Sequence, residues 1–179
     1  MAGWIIRVGL LLISVGSLTY LWYIQNWLDS QEKPDPKVYL SDQKSNKKKI
    51  LLLYHDSRHS TMSKRVGFMV KILNEQGYDV YTDHPNIKLD YNPMDYDVLV
   101  FACPVYLGNY SKAFNKYIEA HPFVSKKVLI LLMGMDSEDK RELDKFEEAI
   151  PNNNSIYKFK IDSKDEKMLA KYLRKKTKF

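Results

Sequence analysis

Residues 96–114 read Tyr-Asp-Val-Leu-Val-Phe-Ala-Cys-Pro-Val-Tyr-Leu-Gly-Asn-Tyr-Ser-Lys-Ala-Phe. Val98–Cys103 is a continuous apolar run of strand length, which is typical of a strand buried on both faces of a parallel sheet. A loop, Pro104–Tyr110, follows it and leads into a predicted helix, Ser111–His121. The apolar side chains that share one face of this helix are Phe114, Tyr117 and Ile118. A buried strand that continues into an amphipathic helix is the repeating unit of an α/β fold.

The same alternation extends along the chain in both directions. The predicted strands are Ile50–Tyr54, Tyr78–Thr82, Val98–Cys103, Val128–Met133 and Ile156–Ile161. The predicted helices are Thr61–Gln76, Ser111–His121, Asp139–Ile150 and Lys164–Lys175. Only His84–Asp97, with two prolines, separates the second strand from the third, so a helix there is missing or reduced to a turn. The pattern predicts one α/β domain, residues 47–179, with a doubly wound, five-stranded parallel sheet.

An uncharged stretch precedes this domain. Val8–Leu28 contains 21 residues without a charge, bounded by Arg7 and Asp29. As a helix it would be roughly 31 Å long, which matches the hydrocarbon core of a bilayer. We therefore expect an N-terminal transmembrane anchor over residues 1–28. A cleaved signal peptide is disfavoured because no Ala-x-Ala-like site follows the run, and a buried core helix is the other alternative.

Residues 29–46 are polar, contain Pro34 and Pro36, and show no helical or strand period, so we expect a tether there. Five lysines lie within 20 residues beyond Leu28, at positions 33, 37, 44, 47 and 48. The positive-inside bias favours a single-pass cell-membrane protein with a cytoplasmic domain, although the opposite topology stays open.

Composition excludes several classes of protein. The chain has 179 residues, 45% of them apolar, which is enough to form a core. Cys103 is the single cysteine, so a disulfide framework is excluded. The four histidines lack metal-ligand spacing, and no nucleic-acid recognition motif accompanies the net charge of +6. We therefore predict no metal and no nucleic-acid partner. The basic stretch Lys164–Lys178 is either a solvated helix face or a contact for anionic headgroups.

In a doubly wound sheet the ligand binds at the carboxyl ends of the strands, where the strand order reverses. The relevant loops are His55–Thr61, Pro104–Tyr110 and Gly134–Glu138. Hydroxyls, positive charges and a helix start in the first loop favour a phosphate site, whereas a simple helix cap by Ser60 or Thr61 is the alternative. In the second loop, Gly108 permits close approach to a flat ring on which Tyr106 or Tyr110 can stack. The alternative there is that the tyrosines pack on the adjacent helix.

The quoted stretch, 96–114, resembles the third strand and flavin loop of the flavodoxin-like superfamily. The chain looks most like the membrane-associated, menaquinone-dependent protoporphyrinogen dehydrogenases and related flavodoxin-domain proteins, over about residues 48–150. The resemblance implies FMN, with the first loop around its phosphate and the later two beside its isoalloxazine ring. The positions that it implies for cofactor binding are Ser57, Arg58, His59, Ser60, Thr61, Pro104, Val105, Tyr106, Gly108, Asn109 and Met135. The chain departs from the family at Asp56, where Ser or Thr is usual, and at His59, where a small residue is usual.

Two functions are consistent with these features. The first is a membrane-anchored, FMN-binding oxidoreductase that passes electrons to the quinone pool or from a protoporphyrinogen-like substrate, with the membrane and a quinone or redox protein as partners. The flavin would supply the chemistry, so no catalytic side chain is predicted. The second is a flavin-free, flavodoxin-like interaction module tethered to the membrane, because a fold does not fix a function.

Overall fold

The computed structural model describes residues 2–30, 35–42, 48–56, 61–89, 91–106, 108–134, 138–162 and 165–177. The chain divides into two compact units, Met1–Glu32 and Lys33–Phe179.

The first unit is the helix α1, Ala2–Ser30, of 29 residues. Between Leu10 and Tyr23, the large apolar side chains are exposed: the residues from Leu10 to Ile13 show 63% to 67% of their surface. Across the described ranges, no helix combines the length and the apolar character needed to cross a membrane. The predicted transmembrane anchor is therefore not found in them.

The second unit contains a six-stranded sheet and four α-helices within the residues described. The strands are β1 (Lys37–Tyr39), β2 (Lys48–Tyr54), β3 (Tyr78–Asp83), β4 (Val98–Pro104), β5 (Lys127–Met133) and β6 (Ser155–Ile161). The helices are α2 (Thr61–Glu75), α3 (Lys112–Ala120), α4 (Arg141–Ala149) and α5 (Glu166–Lys176). All five predicted strands and all four predicted helices are present, with ends displaced by two residues or fewer.

The strand order is β1-β3-β2-β4-β5-β6. The five strands from β2 to β6 pair in parallel, as the sequence predicts. The chain first adds β3 on one side of β2 and then continues on the other side with β4. The order therefore reverses between β2 and β4, which is where doubly wound folds bind their ligands.

The prediction of five strands is wrong by one. β1 lies inside the stretch that was expected to be a tether, and it pairs antiparallel with β3. Two buried carboxylates hold its ends: Asp83 accepts a hydrogen bond from the backbone N–H of Asp35 at 2.8 Å, and Asp79 accepts one from Ser41 at 2.8 Å. Three exposed residues are too few to show a strand period, so the sequence pattern could not reveal this element.

Helices cover both faces of the sheet. Successive residues of β2 alternate between the faces, so that Ile50 and Leu52 pack with α2 and α5, whereas Leu51 and Leu53 pack with α3 and α4. In the connection from β3 to β4, where the prolines predicted a missing or reduced helix, a single 3-10 turn occupies Pro93–Asp95. The doubly wound α/β architecture is thus confirmed, with an additional edge strand.

Candidate functional site

The candidate site lies at the carboxyl ends of β2, β4 and β5. The backbone N–H of His55 donates to the carbonyl of Ala102 at 3.0 Å, and that of Val105 donates to the carbonyl of Met133 at 2.8 Å. These bonds extend the parallel pairing just beyond the ends of the strands. The three loops that the sequence singled out therefore leave the sheet at one edge.

The loop after β4 forms a tight turn. Tyr106 and Asn109 exchange two backbone hydrogen bonds, of 2.9 Å and 3.0 Å. Gly108 has a φ of +71°, which favours glycine, and a Cβ atom added there would meet no heavy atom within 4 Å. Tyr106 keeps 37% of its surface exposed. The turn thus presents backbone groups and one aromatic ring beside open space.

The second tyrosine of this loop is part of the core. The Tyr110 ring stacks on Phe146 of α4, with ring centroids 4.2 Å apart and an interplanar angle of 11°. Its hydroxyl donates to Oδ1 of Asn115 at 2.8 Å. Burial raises the pKa of Tyr110, although the hydrogen bond to Asn115 opposes that shift. The packing alternative holds for Tyr110, so Tyr106 is the more exposed tyrosine of this loop among the described residues.

The loop after β5 is attached at both ends. Its first residue, Gly134, donates its N–H to the carbonyl of Ile161 at 3.2 Å. Near its end, the Nζ atom of Lys160 donates to the carbonyl of Asp139 at 2.8 Å and to Oε2 of Glu142 at 2.9 Å. A Cβ atom on Gly134 would lie 3.0 Å from Cε of Lys160, so the lysine stem fills the space beside this glycine. A buried ion pair therefore lies beside the described residues on either side of this loop.

Arg141, at the start of α4, adds an exposed ion pair to the end of this loop. Its Nη2 atom lies 2.6 Å from Oδ2 of Asp139. Hydrogen bonds from Arg141 hold the pKa of the Asp139 carboxyl well below its usual range. Asp139 therefore stays ionised at neutral pH.

The loop after β2 begins with a carboxylate bound to the first turn of α2. Asp56 accepts hydrogen bonds from the backbone N–H of Ser63 at 3.1 Å and from the Ser63 hydroxyl at 2.5 Å. Ser60 and Thr61 were the predicted capping residues, but Asp56 satisfies the N–H of Ser63. A negative side chain at the start of a helix is stabilised by the unpaired N–H groups and by the helix dipole.

The structure places five of the predicted cofactor positions close together, and others lie outside the residues that it describes. Pro104, Val105, Tyr106, Gly108 and Asn109 lie in or directly before the turn after β4. Thr61 is the first residue of α2. Ser57, Arg58, His59, Ser60 and Met135 fall outside the described residues.

Sequence reasoning missed the ion pair of Lys160 and Glu142. The only signal was the two lysines, Lys158 and Lys160, that interrupt the apolar residues of β6, and lysines on an edge strand are usually taken as solvated. Cys103, at the end of β4, is fully buried and packs in the core shared with α3 and α4, in agreement with a packing role.

The described residues differ in how well they suit the two ends of FMN. The turn of Tyr106–Asn109 suits a flat ring, because it combines a partly exposed aromatic residue with a glycine that has open space beside it. At the first turn of α2, one N–H and one hydroxyl of Ser63 already bind a carboxylate, so these donors do not suit a phosphate. The fit therefore supports the ring end of a flavin and not, within the described residues, the phosphate end.

Comparison with known proteins agrees with the fold. No family model matches the chain, and no curated protein matches it either. Among solved structures, it is similar to a protein from Bacteroides eggerthii provisionally described as a flavoprotein, with 12% sequence identity and a TM-score of 0.54. This match covers 75% of the present chain and 100% of the other.

A second solved structure, from Bacteroides uniformis and also provisionally described as a flavoprotein, shows 12% identity and a TM-score of 0.56. It covers 73% of the present chain and 99% of the other. At this level of identity the likeness supports the doubly wound α/β fold alone and leaves the site to be argued from its own residues.

Proposed function

We propose that the domain binds a flavin, FMN, at the carboxyl edge of the sheet and serves as an oxidoreductase that transfers electrons. The observation that carries this proposal is the turn of Tyr106–Asn109, which opens beside the reversal of strand order between β2 and β4. Flavodoxin-like sheets bind FMN at this switch point. The flavin would supply the electron-transfer chemistry.

The protein's part in this function is to bind and orient the ring. Tyr106 offers an exposed aromatic surface for stacking. Gly108 gives the turn its left-handed residue and leaves the adjacent space free of side chain. Lys160 binds Glu142 and the carbonyl of Asp139, just after the loop that follows β5, and this loop would form the other wall of the ring site. A binding group positioned by buried contacts is held more precisely than one on an unsupported loop.

We further propose that the protein works at the cell membrane, with its domain on the cytoplasmic side. The support is the uncharged run Val8–Leu28, the exposed apolar side chains of α1 and the lysines that follow the run. A quinone would then be a natural electron acceptor because it is confined to the bilayer. The resemblance to protoporphyrinogen dehydrogenases suggests a porphyrin-like electron donor.

The test is to purify the full chain in detergent and record its visible absorption spectrum before and after FMN is added. We expect a flavin band in the isolated protein, or saturable FMN binding, and reduction of a menaquinone analogue once the bound flavin is reduced. Tyr106→Ala should weaken the binding of FMN. A colourless protein without affinity for FMN or riboflavin would refute flavin binding.

One observation favours a second function. Because Asp56 already occupies donors at the first turn of α2, the chain also suits a flavin-free interaction module that keeps the fold without the cofactor. The same titration separates the two functions, since such a module would bind neither flavin.

A further inference from the structure

The charged side chains of the domain are distributed unequally between the two faces of the sheet. On one face, α2 and α5 carry 8 lysines and arginines against 2 glutamates. On the other face, α3 and α4 carry 4 lysines and arginines against 5 acidic residues. There, Lys158 and Lys160 of β6 also bind carboxylates of α4, so that face is close to neutral. The excess positive charge of the domain helices is therefore confined to α2 and α5.

We call the exposed cations of α2 and α5 the basic face. Its residues are Lys64, Lys71, Lys167, Lys171, Arg174 and Lys175. Of these, Arg174 lies 3.4 Å from Glu75, in a pair whose side chains are 60% and 50% exposed. The five lysines form no ion pair with a described carboxylate. They can therefore contact an anionic surface without first breaking an ion pair to a described carboxylate.

The cations of α5 form a row. Lys167, Lys171 and Lys175 are four residues apart and thus share one side of the helix. From first to last they span about 12 Å along the axis. Together with Ala170 and Arg174 they line a shallow, open groove. Met168, which is 50% exposed, adds an apolar side chain at the start of this helix. A broad, open array of cations suits an extended anionic surface better than a small enclosed ligand.

The last turn of α5 lies away from the candidate flavin site. In a parallel α/β unit each helix runs back against the direction of its strand, so α5 begins near the carboxyl edge of the sheet and ends near the opposite edge. Arg174 and Lys175, in the last turn of α5, are therefore about one helix length, roughly 16 Å, from the carboxyl edge. Contact through this end would leave the turn of Tyr106–Asn109 accessible.

We infer that the basic face binds anionic lipid headgroups at the membrane surface, as a second attachment besides α1. The choice of lipid rests on the membrane association proposed above. It is favoured over nucleic acid because the described residues of α2 and α5 offer no exposed aromatic ring for base stacking: Phe68 is partly buried, and Tyr172 stacks on Phe159 at 4.3 Å. Each cation near an anionic bilayer strengthens binding by about fivefold.

The experiment measures binding of the full chain to two kinds of vesicle, one of phosphatidylcholine alone and one that also contains phosphatidylserine. We expect the wild type to prefer the anionic vesicles by tenfold or more at low salt, with a preference that declines as salt screens the charges. Lys167→Glu combined with Lys171→Glu should abolish the preference. The matched control, Lys116→Glu combined with Lys145→Glu, changes the same charge on α3 and α4 and should retain it.

Binding to phosphatidylcholine alone reports the contribution of α1 and should be equal in the three proteins. An absent preference in the wild type, or an equal loss in the control, would overturn the proposal. The proposal would also be overturned, in favour of nucleic acid, if a competing oligonucleotide bound more tightly than the anionic vesicles and this binding were lost in the same α5 variant. FMN titration of the same samples keeps the two proposals apart, because neither pair of substitutions touches the flavin site.

Discussion

Nζ of Lys160 lies 2.9 Å from Oε2 of Glu142, and the two side chains are only 3% and 7% exposed. An ion pair this deeply buried loses hydration that its own attraction barely offsets, but removing one partner leaves an uncompensated charge. The pair connects β6 with α4, and Lys160 also contacts Gly134 and the carbonyl of Asp139, on either side of the loop after β5. Its integrity therefore links the stability of the domain to the shape of the candidate site.

We predict that Glu142→Leu or Lys160→Met alone lowers the free energy of unfolding by about 3 to 5 kcal/mol. The double variant should recover most of this loss because no buried charge is left without its partner. Urea unfolding of the four proteins measures the coupling between the two residues. Lys158→Met is the control, since Lys158 contacts the more exposed Asp144 and Glu147, and it should cost about 1 kcal/mol or less. Additive losses in the double variant would contradict the prediction.

Tyr106 and Tyr110 are expected to differ in what they support. Tyr106→Ala should weaken flavin binding and cost less stability than Tyr110→Ala, because Tyr106 keeps 37% of its surface exposed. Tyr110→Ala should cost about 3 kcal/mol of stability, since it removes a ring stacked on Phe146. Fluorescence titration with FMN and urea unfolding give the two readings. If Tyr110→Ala weakened FMN binding and Tyr106→Ala mainly lowered stability, the assignment of the ring site to Tyr106 would be contradicted.

Asp56 is expected to discriminate between phosphorylated and unphosphorylated flavins. Asp56→Asn removes the negative charge but keeps an oxygen that can accept from Ser63. A phosphate about 5 Å from the native carboxylate would be repelled by roughly 3 kcal/mol per unit charge at an effective dielectric of 20. We therefore expect the variant to bind FMN at least tenfold more tightly, with no change for riboflavin. Equal changes for the two flavins would show that the carboxylate acts on something other than the phosphate.

Replacement of glycine by alanine is expected to change the stability of the domain in opposite directions at Gly108 and Gly67. Gly108→Ala should destabilise the domain by about 1 kcal/mol, because alanine is strained at a φ of +71° even though no neighbour blocks its methyl group. Gly67→Ala, in α2, should stabilise by about the same amount, since a methyl group there also meets open space and the helix gains an alanine. Thermal unfolding of both variants checks the signs. A stabilising Gly108→Ala would mean that the turn tolerates another conformation.

The buried tyrosines predict a loss of stability at high pH. Burial raises the pKa of Tyr172 to about 12 and the pKa values of Tyr96 and Tyr117 still further. Unfolded tyrosine ionises near pH 10, so the unfolded state loses its proton first. This contribution to stability is complete below about pH 10 and declines as the pH rises through the folded values. Urea midpoints measured against pH should show the decline.

A variant tests the origin of this alkaline decline. Within the described part of the chain, the buried hydroxyls of Tyr117 and Tyr172 have no hydrogen-bond partner. Tyr117→Phe should therefore raise stability at neutral pH by about 1 kcal/mol and reduce the slope above pH 10. A lower stability at neutral pH would mean that the hydroxyl has a favourable contact.

The fold could be predicted because its main strands are continuous apolar runs and its helices have clear amphipathic faces. Val98–Cys103 illustrates the strength of this signal, since every residue of β4 is buried. The short strand β1 could not be predicted, because its position depends on the distant carboxylates Asp79 and Asp83 rather than on its own three residues. Local patterns cannot report a contact of this kind.

The candidate site could be predicted only to the level of its loops. Gly108 was identified from its residue type, and its positive φ agrees with that reasoning. Tyr110 packs in the core and Tyr106 does not stack there, because Phe146, which lies far along the chain, is positioned beside Tyr110. The role of Asp56 as the partner of Ser63 likewise required the geometry of α2, because the sequence allowed several capping residues.

The short β1 strand also bears on how molecules of this protein aggregate. The sheet margin formed by β1 exposes the backbone of only three residues. The N–H groups of Asp35 and Ser41, on either side of β1, are already bound to Asp83 and Asp79. A neighbouring strand that docked there would gain few hydrogen bonds, so little drives fibril growth from this side. The opposite margin, β6, is seven residues long. Swapped or fibrillar assemblies of the domain are therefore expected to start from β6.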